Sequence, residues 1–259
     1  MAFFQREIVV YCDQNEGSVG GIRLKELVIW DWNGTLLNDV DVAFQAMNTM
    51  LAKRQLPLLS GLDCYREIFT FPVREYYLSA GLNLDQETFE ELAVEWTQLY
   101  HQFYPSCGLY PDALETVQAL EKMGVRQVIV SASQQQALDA QVEEQGLSQY
   151  FQARLGISDI YAGGKAGLAG EYLQRQGIAP SRALFVGDTL HDWEVAREAG
   201  CSCVLVAQGH HSKRLLETAG VPVLDGICQV PQWIARENAE RGENNVRQTG
   251  LQKNDRNGA

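Results

Sequence analysis

Val28-Ile29-Trp30-Asp31-Trp32-Asn33-Gly34-Thr35-Leu36 is an apolar run that ends on a carboxylate and enters an Asn-Gly-Thr turn. A buried strand ending on an acid presents that acid at the carboxyl edge of a sheet, where open α/β folds bind their ligands. Alone the stretch is weak evidence, because Asp, Asn, Gly and Thr are ordinary turn residues. Downstream, Val128-Ile129-Val130-Ser131 is a second apolar run, ending on a small hydroxyl residue. Leu184-Phe185-Val186-Gly187-Asp188-Thr189-Leu190-His191-Asp192 is a third, ending on two acids, and Lys165 lies between them in Gly163-Gly164-Lys165-Ala166-Gly167.

In that order the motifs resemble the haloacid dehalogenase superfamily, whose members are mostly magnesium-dependent phosphatases; the match runs roughly from residue 25 to 230. Strands are predicted near 26–31, 126–131, 153–157, 183–187 and 203–206, with a short one at 221–224. Helical patterns separate all but the first pair, and that alternation signals a parallel sheet. The expected fold is a three-layer α/β/α Rossmann-like core. Pro111 to Met123 illustrates its helices: Pro at the first turn, Leu114, Val117 and Leu120 at helical spacing, and Gly124 as the stop.

The interval after the Asp31 strand is too long for a crossover helix. Within it Val40, Phe44, Met47 and Leu51 share one helical face, and Phe89, Leu92, Ala93, Trp96, Leu99 and Tyr100 share another. This inserted bundle resembles the helical cap of the superfamily's phosphoglycolate-phosphatase-like branch, as does Phe71-Pro72-Val73-Arg74-Glu75-Tyr76-Tyr77. The expected organisation is an N-terminal extension over 1–24, a core over 25–37 and 108–235, a helical cap over 38–107 and a disordered tail over 236–259. A short strand is possible at 7–12.

A formal charge of −12 argues against a nucleic-acid partner, which calls for a basic face. An acidic protein that binds a phosphorylated metabolite must supply positive charge locally, and a divalent cation among carboxylates does so. The six cysteines include no C-x-x-C pair and read as reduced thiols. Charges interrupt the N-terminal apolar run too early for a signal peptide, and no apolar stretch approaches the ~20 residues of a membrane span. A cytoplasmic protein without membrane contact is the expectation; the oligomeric state is left open.

The resemblance implies Mg²⁺ held by Asp31, Asp188 and the backbone carbonyl of Asn33, with Asp192 holding the lysine or a water of the ion's shell. It implies Asp31 as nucleophile, forming an aspartyl-phosphate. Ser131, Ala132 and Lys165 would surround the phosphoryl group, Lys165 as a point charge, and Thr35 would either donate to that group or stabilise its own turn. Arg74 is the expected cap contact to an acidic substrate. The family pattern usually places an aspartate two residues after the nucleophile as general acid and base, and this chain has Asn33. A carboxamide hydrogen-bonds to a leaving oxygen but cannot give it a proton.

His191 is the nearest substitute carrier by sequence, and His210-His211 reads as a loop. A Walker-type phosphate loop is excluded because Asp159 and Ala166 stand where a glycine and a hydroxyl are required. The serine-hydrolase elbow is absent as well. Alternatives that survive are a phosphonate hydrolase, which would need Lys53 as a cap Schiff-base lysine, a dehalogenase, or a binding protein that has lost turnover.

Overall fold

The computed structural model describes residues 25–158 and 165–240. The possible strand at 7–12 and the glycines before Lys165 lie outside them. The chain forms β1 (Leu27–Trp30), β2 (Leu37–Asn38), α1 (Val40–Lys53), α2 (Leu62–Ile68), α3 (Val73–Ser79) and α4 (Phe89–Phe103). β3 (Gly108–Leu109), α5 (Ala113–Lys122), β4 (Arg126–Gln134), α6 (Gln135–Glu144), β5 (Ala153–Ile157) and α7 (Ala166–Arg175) follow. β6 (Ala183–Gly187), α8 (Leu190–Glu198), β7 (Ser202–Val206), α9 (Lys213–Leu216) and β8 (Val223–Leu224) complete the core.

A six-stranded sheet runs in the order β5-β4-β1-β6-β7-β8, and its ladders are parallel. β1 is buried along its whole length, as its continuous apolar run requires. Its side chains alternate: Val28 and Trp30 join the layer of α5 and α6, while Leu27 and Ile29 join that of α7 and α8. This is the expected α/β/α architecture. The order of strands puts β1 between β4 and β6, so the ends of the three apolar motifs meet at one edge.

Two indoles in this core need partners. Trp30 Nε1 donates to Gln127 Oε1 at 3.0 Å, and Trp32 Nε1 to Gln141 Oε1 at 2.9 Å. Gln127 is buried and also donates to the Val117 carbonyl. Gln127→Leu should therefore leave a buried donor and a buried acceptor unpaired and cost about 1–3 kcal/mol, read as a lower urea midpoint. An unchanged midpoint would show that these bonds contribute nothing net.

The insertion packs α1 to α4 around their own apolar cluster, which includes Met47, Met50, Tyr65, Tyr76 and Leu92. α4 begins on a capping box, Thr88 with Glu91. The segments entering and leaving the insertion pair with each other, β2 antiparallel to β3, with Leu37 opposite Leu109.

The C-terminal expectation needs correcting. Residues 230–240 are helical, so the first part of the supposed tail is ordered. Val230 and Ile234 join the core cluster, and Asn238 accepts a hydrogen bond from the Lys25 backbone at 2.8 Å. Residues 241–259 lie outside the described part. Among the described residues, no helix is long and apolar enough to cross a membrane.

Candidate active site

After β1 the chain closes a tight turn: Leu36 and Leu37 donate backbone N–H groups to the Trp32 carbonyl. Gly34 holds φ at 71°, where L side chains are strained, and a Cβ there would overlap the Asp188 carboxylate. Gly209, on the loop after β7, approaches Asp188 as closely, so a side chain at either glycine would displace that carboxylate.

Asp31, Asp188 and Asp192 are buried there, each offering an oxygen within 4.8 Å of the others. Lys165, at the start of α7 and 3% exposed, joins Asp31 and Asp192, the latter at 2.6 Å. It is no solvated helix-start lysine. Asp192 is saturated otherwise: its second oxygen accepts from the backbone of Asp188 and from Thr189, with which it forms the capping box of α8. Asp188 accepts from Thr35 Oγ1 at 2.8 Å and from the His210 backbone at 2.7 Å.

Charges compete here. Burial raises the Asp31 carboxyl well above the usual carboxylate range despite Lys165, and Asp192 and Asp188 add to the rise. Burial likewise pushes Asp188 up to about 6. Burial would raise Asp192 too, but Lys165 holds it below its ordinary value. Burial alone would lower Lys165, yet Asp192 and Asp31 keep it above the ordinary lysine value. One lysine cannot balance three buried carboxylates, so the cluster lacks positive charge. An all-oxygen donor set with that deficit suits a hard divalent cation. The fit is good for such an ion.

Ser131, at 1% exposure, accepts from the Ser133 backbone at 3.0 Å, which leaves its hydroxyl proton free to donate into the cavity it lines with Ala132. Thr35 is fully buried, does not line the cavity, and donates its hydroxyl to Asp188. Arg74 is exposed on α3 and likewise does not line the cavity. His191 stacks on Phe71 at 4.7 Å and lies outside the lining, so it serves the contact between insertion and core. Burial, then Lys165, lowers its imidazole.

Asn33 is fully engaged. Its Nδ2 donates to Asp39 Oδ2 at 2.8 Å and to the Tyr100 hydroxyl at 3.1 Å, and its Oδ1 accepts from Ser133 Oγ at 2.7 Å. Sequence reasoning missed two residues in this network. Asp39 is 2% exposed and accepts from the Gly34 backbone and Tyr100 as well. His210 is 5% exposed, with Nε2 3.3 Å from Asp39 and Nδ1 2.7 Å from the Tyr65 hydroxyl. The loop reading of His210-His211 is correct for the backbone, but both side chains are buried. A signal existed: Gly209-His210 follows β7, another strand whose carboxyl end faces the site.

Burial would raise Asp39, but His210 and its hydrogen bonds bring it below the ordinary value. Burial would lower His210, and Asp39 lifts it above the ordinary 6.5. Burial pushes His211 down to about 4. In metal-free protein His210 should therefore hold its proton above pH 6.5 while His211 stays neutral to about 4. The stabilisation from charged His210 is complete below its unfolded value and is lost as pH rises through the folded one. Imidazole NMR titration reads both; a His210 midpoint below 6.5 would contradict the pairing.

A family model described as haloacid dehalogenase-like hydrolase matches residues 28–206. The chain belongs to that family. Among curated relatives, the phosphoglycolate phosphatase of Pseudomonas savastanoi pv. phaseolicola is 28% identical over 214 residues, covering 79% of this chain and 78% of its own. The phosphoglycolate phosphatase of Vibrio vulnificus strain YJ016 is 26% identical, over 79% of this chain and 94% of that protein. A solved haloacid dehalogenase-like hydrolase from Streptococcus pneumoniae superposes with a TM-score of 0.67 at 19% identity, covering 82% of this chain and 99% of its own, and shares the fold. The protein is thus a hydrolase of the haloacid dehalogenase-like family, as the order of its motifs implied.

Proposed function

We propose that the protein is a magnesium-dependent phosphatase that hydrolyses a small phosphomonoester through an aspartyl-phosphate on Asp31. The carrying observation is the meeting of Asp31, Ser131 and Lys165 on the floor of one cavity of about 210 Å³, with Asp188 beside them. In this reading an Asp31 oxygen attacks phosphorus and the bond to the leaving oxygen breaks; water then attacks the same phosphorus and frees Asp31. Ser131 donates to a phosphoryl oxygen, and Lys165 places its charge beside the nucleophile. Asp31 and Asp188, with the Asn33 carbonyl, would hold Mg²⁺, which supplies charge neutralisation on the phosphoryl oxygens. Asp192 positions Lys165. Residues 38–107 act as the cap that closes the cavity.

The proton for the leaving oxygen does not come from Asn33, whose amide hydrogens are taken by Asp39 and Tyr100. Leaving groups that tolerate departure as anions are therefore favoured. The phosphonate-hydrolase alternative weakens on Lys53, which is exposed, paired with Glu95 at 2.8 Å and absent from the cavity lining.

Magnesium with beryllium fluoride, a phosphoryl mimic, should raise the melting temperature, and a screen of phosphate esters should show magnesium-dependent release of phosphate. Asp188→Asn should lose both responses. Equal responses in the variant would move the site elsewhere.

A further inference from the structure

The cavity has two unlike walls. Its floor is polar, around Asp31 and Lys165, whereas the wall given by the insertion is aromatic: Phe69, Phe71, Tyr76, Tyr77, Phe89 and Trp96. The first five of these rings form a continuous series of contacts, and Trp96 stacks on Tyr100. Phe69 meets Phe71 edge-on at 5.6 Å and Tyr76 at 5.1 Å, Tyr76 approaches Tyr77 at 5.9 Å, and Tyr77 approaches Phe89 at 5.7 Å.

Among the described residues, positive charge at that wall is already paired: His210, stacked on Phe69, faces Asp39. Among the described residues lining the cavity, Lys165 is the only lysine or arginine, and it is committed to Asp31 and Asp192. Of the histidines there, His210 is tied to Tyr65 and Asp39, and His101 is exposed. Asp39 adds a further buried carboxylate on the same lining. A ligand carboxylate placed against this wall would lose its hydration without gaining an unpaired cation. A flat apolar group would instead bury its faces against rings.

Resting on the phosphatase reading, we propose that the organic end of the phosphorylated ligand is an uncharged aromatic group, not the carboxylate-bearing end implied by the names of the phosphoglycolate phosphatase relatives. The engaged Asn33 points the same way independently, because a phenol departs as an anion with less need of a proton than an alkyl alcohol. Tyr76 Oη and Trp96 Nε1, both on wall residues, are buried without a protein partner, so a neutral hydrogen-bonding substituent on the ring would be matched here as well.

The test compares two isosteric, non-hydrolysable phosphonates by calorimetry on the full chain with magnesium: 2-phenylethylphosphonate and 3-phosphonopropionate. The aromatic compound should bind about 10- to 100-fold more tightly, the gain expected for burying one ring. Thr97→Arg, which adds a cation to the cavity lining, should shift the preference toward 3-phosphonopropionate. Equal or tighter binding of 3-phosphonopropionate by the wild type overturns the assignment, as does failure of both compounds to bind. Hydrolysis is read separately with phenyl phosphate, whose phenol departs as an anion, and with benzyl phosphate and phosphoglycolate, whose leaving groups are alkyl alcohols. If no ester is cleaved while the aromatic binding preference holds, the ligand assignment stands and the phosphatase reading alone falls.

Discussion

Asp31→Asn should abolish turnover, by a factor on the order of 10⁴ to 10⁶, the range seen when a nucleophile is removed from an otherwise intact site. The same substitution should raise the melting temperature of the metal-free protein at pH 7. Asp31 and Asp188 both have folded-state values above the ordinary 3.8, Asp188 near 6. A raised carboxyl contributes stability that is complete below its unfolded value and is lost as pH rises through the folded one. Metal-free wild type should thus be less stable at pH 7 than at pH 5, and magnesium should restore the loss at pH 7. The neutral amide removes part of the repulsion, so its pH dependence should be flatter and its gain from magnesium smaller. Melting curves with and without magnesium across that range, beside single-turnover assays, read all of these. A variant that melts lower at pH 7 and keeps measurable turnover would remove Asp31 from the chemistry.

The second large effect concerns Asn33. The sequence by itself implies that Asn33→Asp restores the family's proton carrier. The structure changes that expectation, because Asn33 Nδ2 lies 2.8 Å from the Asp39 carboxylate. Two carboxylates at that distance cannot both ionise cheaply. Asn33→Asp alone should melt lower at pH 7 than the wild type and gain little activity. Exchanging the pair, Asn33→Asp with Asp39→Asn, keeps one amide and one carboxylate in contact. It should recover stability and raise alkyl-phosphate hydrolysis by about 10²- to 10⁴-fold, with a smaller gain for activated esters. If the single change gains as much as the exchange, Asp39 is not the obstacle.

The sheet and the meeting of Asp31, Ser131, Lys165, Asp188 and Asp192 were legible because strand ends converge once β1, β4 and β6 are parallel neighbours. Local sequence carries that information: an apolar run fixes the strand, and the residue after it falls on the edge. Asp39 and His210 were not legible in the same way. Each matters through the other and through Asn33, and the approach of the loop after β7 to the start of α1 is a tertiary event. Thr35 was open to two readings because a hydroxyl beside a nucleophile looks the same whether it faces a ligand or braces a neighbour; its hydroxyl donates to Asp188. Arg74 was chosen for its charge, which does not say which side of α3 faces the cavity; it is exposed and outside the lining, and its contact to a substrate stays a proposal.

The ladder joining Leu37 to Leu109 has a consequence for ancestry. Both ends of the insertion sit one strand spacing apart in their own two-stranded ladder, so the chain returns to the core at the same place whatever is strung between them. The chain path that builds the floor and the path that brings a ligand to it are therefore joined at a single seam. A lineage can exchange one helical cassette for another at this seam, or reduce it to a turn, and keep Asp31, Lys165 and Asp188 in register. What such an exchange must carry with it is Asp39, Tyr65 and Tyr100, through which the insertion is bonded to Asn33, Gly34 and His210.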